Sequence, residues 1–232
     1  MKKWAIKSSK GGVGKSILSL NLAAALNLMG KRVLLIDLDA NTSSLSQRLA
    51  GKEKGLLHKV DGKKIELITT KEGFSFLPIG KEKGSTSVSK AVLKKVLKEF
   101  ENQFDVLIMD NPPEMSELSI ASLKNSDFVL IPTYPDILSM DGTALTMKRC
   151  EKLGVKVKIA FNRVTRTRLS RLVMEQLSER FPKIVLQNYV KQRSCYAESL
   201  SFGVSAVKKD GLAKMDFRDL AEELWRVRLR QS

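Results

Sequence analysis

Two kinds of apolar pattern alternate along this chain. Short unbroken runs such as "WAI", "VLLI", "VLIM" and "FVLI" stand between polar or turn residues, and longer stretches repeat their apolar residues every three or four positions. The first kind predicts strands buried on both faces, the second amphipathic helices. In order, the pattern predicts a strand at "WAIKS", a helix at "SILSLNLAAALNLMG" ended by Gly30, and a strand at "RVLLID". A short helix follows at "LSQRLA", then a polar excursion at "GKEKGLLHKVDGKK" and short strands at "IELIT" and "FSFLPIG". A helix at "SVSKAVLKKVLKEF" has Val88, Val92, Val96 and Phe100 as its apolar positions, and "DVLIMD" is a central strand. "FVLIPT", a helix over 137–152, "VKVKIAFN", a helix over 169–180, "KIVLQ" and a final helix "MDFRDLAEELWRVRLR" complete the series. Strands alternating with helices predict an α/β fold: a doubly wound, mostly parallel sheet with helices on both faces. With 232 residues, 43% of them hydrophobic, the chain can bury one substantial core, so residues 1–232 read as a single domain.

Charge changes the picture more than composition does. The formal charge is +16, and between Lys148 and Arg193 thirteen Lys/Arg face three acids, whereas Ser194 to Ser232 has seven against six. A clustered excess of this size fits a polyanionic partner; the alternative is a solvated lysine-rich surface. Cys150 and Cys195 are isolated and form no C-x-x-C, which argues against a disulfide framework, a zinc site or an iron–sulfur cluster. No apolar stretch approaches 18 residues and no signal-peptide pattern opens the chain, so a cytoplasmic protein is expected. His58, the single histidine, carries no assigned role.

The densest chemistry lies at "SSKGGVGKS", Ser8 to Ser16. A phosphate loop needs a strand, a tight turn whose N–H groups converge on phosphate oxygens, and a helix N-terminus adding positive potential. Gly11, Gly12 and Gly14 permit positive φ, Lys15 reaches the β and γ-phosphates, and the Ser16 hydroxyl ligates Mg²⁺. The strict pattern asks for glycine at position 9, where this chain has serine, with a second lysine, Lys10, beside it.

"KGGVGKS" resembles the deviant Walker A motif of the ParA/MinD ATPases, whose partition members generally lack the first Walker glycine. The resemblance implies a P-loop NTPase fold and a nucleotide cradle of Lys10, Gly11, Gly12, Val13, Gly14, Lys15, Ser16 and Ile17. It also implies that Lys10 reaches the nucleotide of a second subunit, adding charge where it accumulates during phosphoryl transfer. "LLIDLDANTSS" sets Asp37 and Asp39 two apart at a strand end, on one side of the extended chain. It is similar to the family's second acidic motif, so Asp39 is expected to position the attacking water. "VLIMDNPPE" resembles the family's D-x-P-P motif, with Asp110, Asp37 and Ser16 around magnesium and Pro112 and Pro113 stiffening the loop beyond. Taken singly, each aspartate could equally be a strand-end cap. Ala40 to Ser43 depart from the family's usual D-P-Q-G-N continuation.

Asn162, at the end of "VKVKIAFN", can offer donor and acceptor to an adenine edge, as the family's asparagine at this strand end does; a turn-forming asparagine is the alternative. "RTRLS" and "SFG" also resemble partition-ATPase segments, so the likeness spans nearly the whole chain and weakens from Ala50 to Gly84.

The resemblance and the charge together imply an ATP switch. ATP joins two subunits, dimerisation doubles a basic surface, and the dimer holds double-stranded DNA non-specifically until a ParB-like adaptor stimulates hydrolysis. The expected phosphate contacts are Arg163, Arg166, Arg168, Arg171, Lys191 and Arg193, with Lys208, Lys209 and Arg218. Few aromatic residues accompany them, which favours duplex backbone over stacked single strands. The loop starts so near residue 9 that no preceding helix-turn-helix domain, and no direct repression, is expected. One rival is a MinD-like membrane switch using the last helix, whose acids Asp219, Glu222 and Glu223 oppose anionic lipid and whose apolar face is expected on the core. Another is a metabolic ATP-dependent ligase on the same fold.

Overall fold

The computed structural model describes residues 1–39, 45–49, 56–60, 63–78 and 90–227. Among the described residues eight strands form one sheet: β1 (Lys2–Ile6), β2 (Val33–Asp37), β3 (Leu56–Val60), β4 (Lys63–Thr69), β5 (Ser75–Pro78), β6 (Val106–Asp110), β7 (Phe128–Thr133) and β8 (Val157–Phe161). The spatial order is β3-β4-β5-β2-β6-β1-β7-β8. From β5 to β8 every pairing is parallel; β4 runs antiparallel to β5, and β3 to β4.

The unbroken apolar runs form the central strands because both faces are covered. Successive side chains point to opposite sides of a strand, and the core divides accordingly. Trp4, Ile6, Val33, Leu35, Val106 and Ile108 face α1 (Lys15–Leu28) and α9 (Gly211–Arg226). Ala5, Leu34, Ile36, Leu107 and Met109 face α3 (Lys90–Glu99), α4 (Glu117–Lys124), α5 (Ile137–Lys152) and α6 (Arg168–Arg180). The doubly wound fold expected from the alternation is therefore the fold observed. Phe217, Leu220 and Leu224 of α9 are fully buried, so the last helix spends its apolar face on the core. Lys2 and Lys31 lie over the Trp225 ring, 4.8 and 4.5 Å from its centroid.

Several elements differ from the sequence reading. The polar excursion contains β3, paired Leu56↔Leu67 to Val60↔Lys63 with β4. The Asp61-Gly62 dipeptide between the two strands is a hairpin signal that the reading passed over. α4, α7 (Cys195–Phe202) and α8 (Ala206–Lys209) are too short for a clear helical repeat, and the reading omitted them. "KIVLQ" forms no named strand; it makes one parallel bridge, Ile159↔Val185, at the sheet edge. α9 starts at Gly211, where the Asp210 carboxylate caps the N–H groups of Leu212 and Ala213, each at 2.8 Å. α2 is Ser46–Leu49. Val88, Ala40 to Ser43 and positions 228–232 lie outside the described residues.

Candidate functional site

β1 delivers the chain to a loop that turns sharply into α1. Gly12 and Gly14 hold φ of 75° and 84°, the left-handed region that glycine tolerates and other residues resist. Gly14 is the N-cap of α1 and supplies no side-chain cap, and the first helical bond runs from Leu18 N–H to the Gly14 carbonyl at 2.8 Å. The N–H groups of Lys15, Ser16 and Ile17 therefore have no acceptor inside the helix, which makes this end attractive to an anion.

Two side chains from the far strands fix the loop's carbonyls. The Tyr134 hydroxyl donates to the Gly12 carbonyl at 2.6 Å, and the Asn162 amide donates to the Val13 carbonyl at 3.0 Å. In a trans peptide C=O and N–H point in opposite directions. Holding those two carbonyls thus turns the Val13 and Gly14 N–H groups to the other side of the loop. Asn162 is 2% exposed, and its amide oxygen accepts from the Arg163 N–H at 3.0 Å. Bracing the loop is a role for Asn162 that the sequence reading did not foresee. Arg163 has φ of 51°, with its guanidinium 4.9 Å from the Tyr134 ring centroid and donating to the Tyr134 hydroxyl at 3.2 Å.

Ser9, where the strict pattern asks for glycine, fastens the loop to α5. Its N–H donates to the Thr146 hydroxyl at 2.9 Å and its own hydroxyl accepts from Arg149 at 3.0 Å. Lys10 lies half-buried on the same helix: its ammonium donates to the Ser139 hydroxyl at 3.3 Å, and a Cβ on Gly142 would stand 2.8 Å from Lys10 Cβ. Gly142 is what lets Lys10 approach so closely.

Asp37 and Asp110 end adjacent parallel strands as register partners, and both are 1% exposed. Burial raises the pKa of each; the charge of Asp37 raises Asp110 further, and that of Asp39 raises Asp37. Hydrogen bonds from the Ser16 and Ser19 hydroxyls, and the nearby positive charge of Lys15, pull Asp110 the other way. Asp37 Oδ1 accepts from the Asp39 N–H at 3.0 Å, and Oδ2 from the Ser46 N–H at 3.0 Å and hydroxyl at 2.6 Å. Asp110 Oδ1 is buried without a hydrogen-bond partner. An orphaned carboxylate oxygen beside the Ser16 hydroxyl, with a second carboxylate on the next strand, suits a hard divalent cation such as Mg²⁺. Among the described residues no cluster of three or more His, Cys, Asp or Glu could hold a metal alone, so phosphate oxygens and water would complete the shell. Asp39 is buried at 6% exposure just beyond Asp37.

The basic residues separate into groups. A parallel bridge between Val164 and Lys191 joins the segment after β8 to the segment before α7. Arg166, Arg171 and Lys191 consequently line one groove of about 520 Å³, and Arg168 is exposed at the first residue of α6 nearby. Arg193 instead turns inward, donating to Asp216 of α9 from Nε at 3.2 Å and Nη2 at 3.0 Å. Lys191 approaches the other oxygen of Asp216 at 3.7 Å. Lys208 donates to the Lys71 carbonyl, Lys209 lies over the Phe202 ring, and Arg218 pairs with Glu222 along α9. Lys7, Tyr134, Thr146 and Arg149 also belong to the site, outside every motif of the sequence. For Lys7 the signal is a charge directly after the apolar run Trp4 to Ile6.

Residues 1–162 match a family model described as an AAA domain. The chain is 30% identical to the chromosome-partitioning ATPase Soj of Thermus thermophilus over 95% of its own length and 94% of the Thermus protein. Among solved structures it resembles the MinD cell division protein of Aquifex aeolicus, with a TM-score of 0.78, 21% identity and full coverage of both chains. It also resembles cobyrinic acid a,c-diamide synthase of Mycobacterium smegmatis with bound ADP and magnesium: TM-score 0.72, 22% identity, 97% and 94% coverage. The last two likenesses concern the fold. With a glycine-rich loop running into α1, carboxylates at the ends of β2 and β6, and a Soj relative matched along almost its whole length, this chain belongs to the ParA/MinD family of P-loop ATPases.

Proposed function

We propose that this protein is a ParA-type ATPase for DNA partition, working in the cytoplasm on nucleoid DNA. The Lys15 ammonium and the N–H groups at the start of α1 bind the phosphates of ATP. Ser16, Asp110 and Asp37 hold Mg²⁺, which when bound neutralises charge on those phosphates. Asp39 orients the attacking water, and Asn162, besides bracing the loop, presents the remaining face of its amide to adenine. Hydrolysis is weak until a partner stimulates it.

Lys10 acts on the nucleotide of a second subunit in an ATP-dependent sandwich dimer. The apolar side chains beside it support this reading: Ile137 and Leu138, in the first turn of α5, are 67% and 74% exposed, and a second copy would cover them. The dimer binds double-stranded DNA through Arg166, Arg168, Arg171 and Lys191 of each subunit. Arg163, Arg193, Lys208, Lys209 and Arg218 contribute less, because each is held by a hydrogen bond or a ring within the chain, whereas the Lys191 ammonium stands farther off, 3.7 Å from Asp216, and is half exposed. A ParB-like adaptor then releases the dimer by stimulating hydrolysis.

The observation that carries this reading is the Val164–Lys191 bridge, which gathers basic residues from two segments into one exposed groove beyond the nucleotide loop. The test is DNA retention as a function of nucleotide and salt, for the wild type, Lys10→Ala and Asp39→Ala. Retention with ATP alone, persistent in Asp39→Ala and lost in Lys10→Ala, is expected. Identical retention with ATP, ADP and no nucleotide would refute the switch. ATP turnover that depends on a small acid and ignores DNA would favour a ligase instead.

A further inference from the structure

β1 is apolar from Trp4 to Ile6, flanked by β6 and β7, and its next residue is a lysine. Lys7 is completely buried. Its N–H donates to the Leu130 carbonyl of β7 at 3.0 Å, and its ammonium donates to the carbonyls of Pro112 and Glu114, each at 2.5 Å. Both carbonyls belong to the loop that leaves Asp110, and the Glu114 carbonyl also accepts from Ser119 of α4 at 3.2 Å. The ammonium thus spans from the base of the phosphate loop to the segment joining Asp110 to α4.

An apolar residue would suit a strand end buried on both sides far better. Taking an ammonium out of water is costly unless it is well compensated, and its bonded acceptors here are neutral carbonyls. Burial is the main reason its pKa is lowered to about 8; Lys15 on α1 and Arg149 on α5 lower it further, and Glu114 and the Cys150 thiol partly oppose them. Phosphate bound beside Lys15 would favour the charged form of Lys7.

We propose that Lys7 is a positioning residue whose buried ammonium ties the loop after Asp110 to the root of the phosphate loop, so that nucleotide occupancy and the conformation of residues 111–116 change together. The proposal rests on the nucleotide reading above. Phosphate binding strengthens the hold of the ammonium on the two carbonyls, and phosphate loss loosens it. Lys7 touches neither nucleotide nor metal and acts through the loop it holds.

The test is amide exchange across residues 111–119, with and without Mg·ADP or a non-hydrolysable ATP analogue, in the wild type and in Lys7→Met, which keeps length and loses charge. In the wild type, nucleotide slows exchange there by about tenfold or more, and in Lys7→Met the nucleotide still binds but that protection is absent. Equal protection in the two proteins overturns the proposal. If Lys7→Met does not fold, a pH series on the wild type decides. Nucleotide affinity should fall, and loop exchange in the nucleotide-free protein, corrected for the intrinsic base-catalysed rise of amide exchange, should rise, between about pH 7.5 and about 9.5 as the ammonium loses its proton. Flat profiles in both overturn the proposal. A wild type that binds no nucleotide would refute the ATPase reading, and the exchange of the free protein would still test the tie.

Discussion

The Asn162 amide donates to the Val13 carbonyl at 3.0 Å, and the same nitrogen lies 2.5 Å from where a Cβ on Gly14 would stand. One contact braces the phosphate loop and forbids a side chain at its last glycine. Gly14→Ala meets both that obstruction and a φ of 84°, a strain of about 1–3 kcal/mol for a residue with a Cβ. Nucleotide affinity, measured by calorimetry, should fall by about tenfold or more.

Tyr134→Phe removes a single hydroxyl and leaves the ring under Arg163. The Gly12 carbonyl loses its 2.6 Å donor, a net loss of about 1 kcal/mol. If the hydroxyl orients the loop for phosphate, nucleotide affinity should drop by roughly fivefold with little change in Tm. An unchanged affinity would show that Asn162 alone suffices.

Gly142→Ala tests how Lys10 is held. Alanine favours the helix by about 1 kcal/mol, yet its Cβ would stand 2.8 Å from Lys10 Cβ. A near-normal Tm with loss of the ATP-dependent dimer is expected, read by light scattering. A dimer of wild-type strength would mean that Lys10 can work from a displaced backbone.

The buried pair at the ends of β2 and β6 gives the nucleotide-free protein a pH dependence of definite sign. Both carboxyls have raised pKa values, so above the ordinary carboxylate range the folded state holds protons that the unfolded chain has released. Stability therefore falls as pH rises from that range toward neutrality. With a chelator present, Asp110→Asn should flatten the fall and raise Tm at neutral pH by about 3–5 °C. Magnesium with nucleotide should restore the wild type and do little for the variant.

Two arginines separate DNA contact from structure. Arg171→Ala should lower the slope of log affinity against log salt by about 1–2 for a dimer, one phosphate per subunit. Arg193→Ala leaves Asp216, 8% exposed, short of its main partner, and should cost about 2 kcal/mol of stability with the slope unchanged.

The phosphate loop and the carboxylates Asp37, Asp39 and Asp110 were legible because each is a local pattern. A strand, a glycine turn and a helix are consecutive, and an aspartate after an unbroken apolar run marks a strand end. What surrounds them was not. Ser9 meets Thr146 and Arg149, Tyr134 meets Gly12, and Lys7 meets Pro112 only because β1 lies between β6 and β7, an order that no short window contains. Arg193 read as a surface cation for the same reason, since Asp216 reaches it from a helix more than twenty positions onward. The β3–β4 hairpin was missed for want of apolar alternation, although its turn dipeptide was in plain view.

The Asp37–Asp110 pairing also separates the site from chain length. The two strand ends are neighbours across a sheet whose strand spacing is about 4.8 Å, and hydrogen bonds along β2 and β6 set that gap. The stretch running from residue 38 to residue 105 does not. Within it Asp39 and Ser46 belong to the site and β5 and α3 to the core, but the outer strands β3 and β4 can be lengthened, trimmed or exchanged without moving one carboxylate relative to the other. For protein engineering, that excursion is where new binding sequences could be grafted with least disturbance to the chemistry.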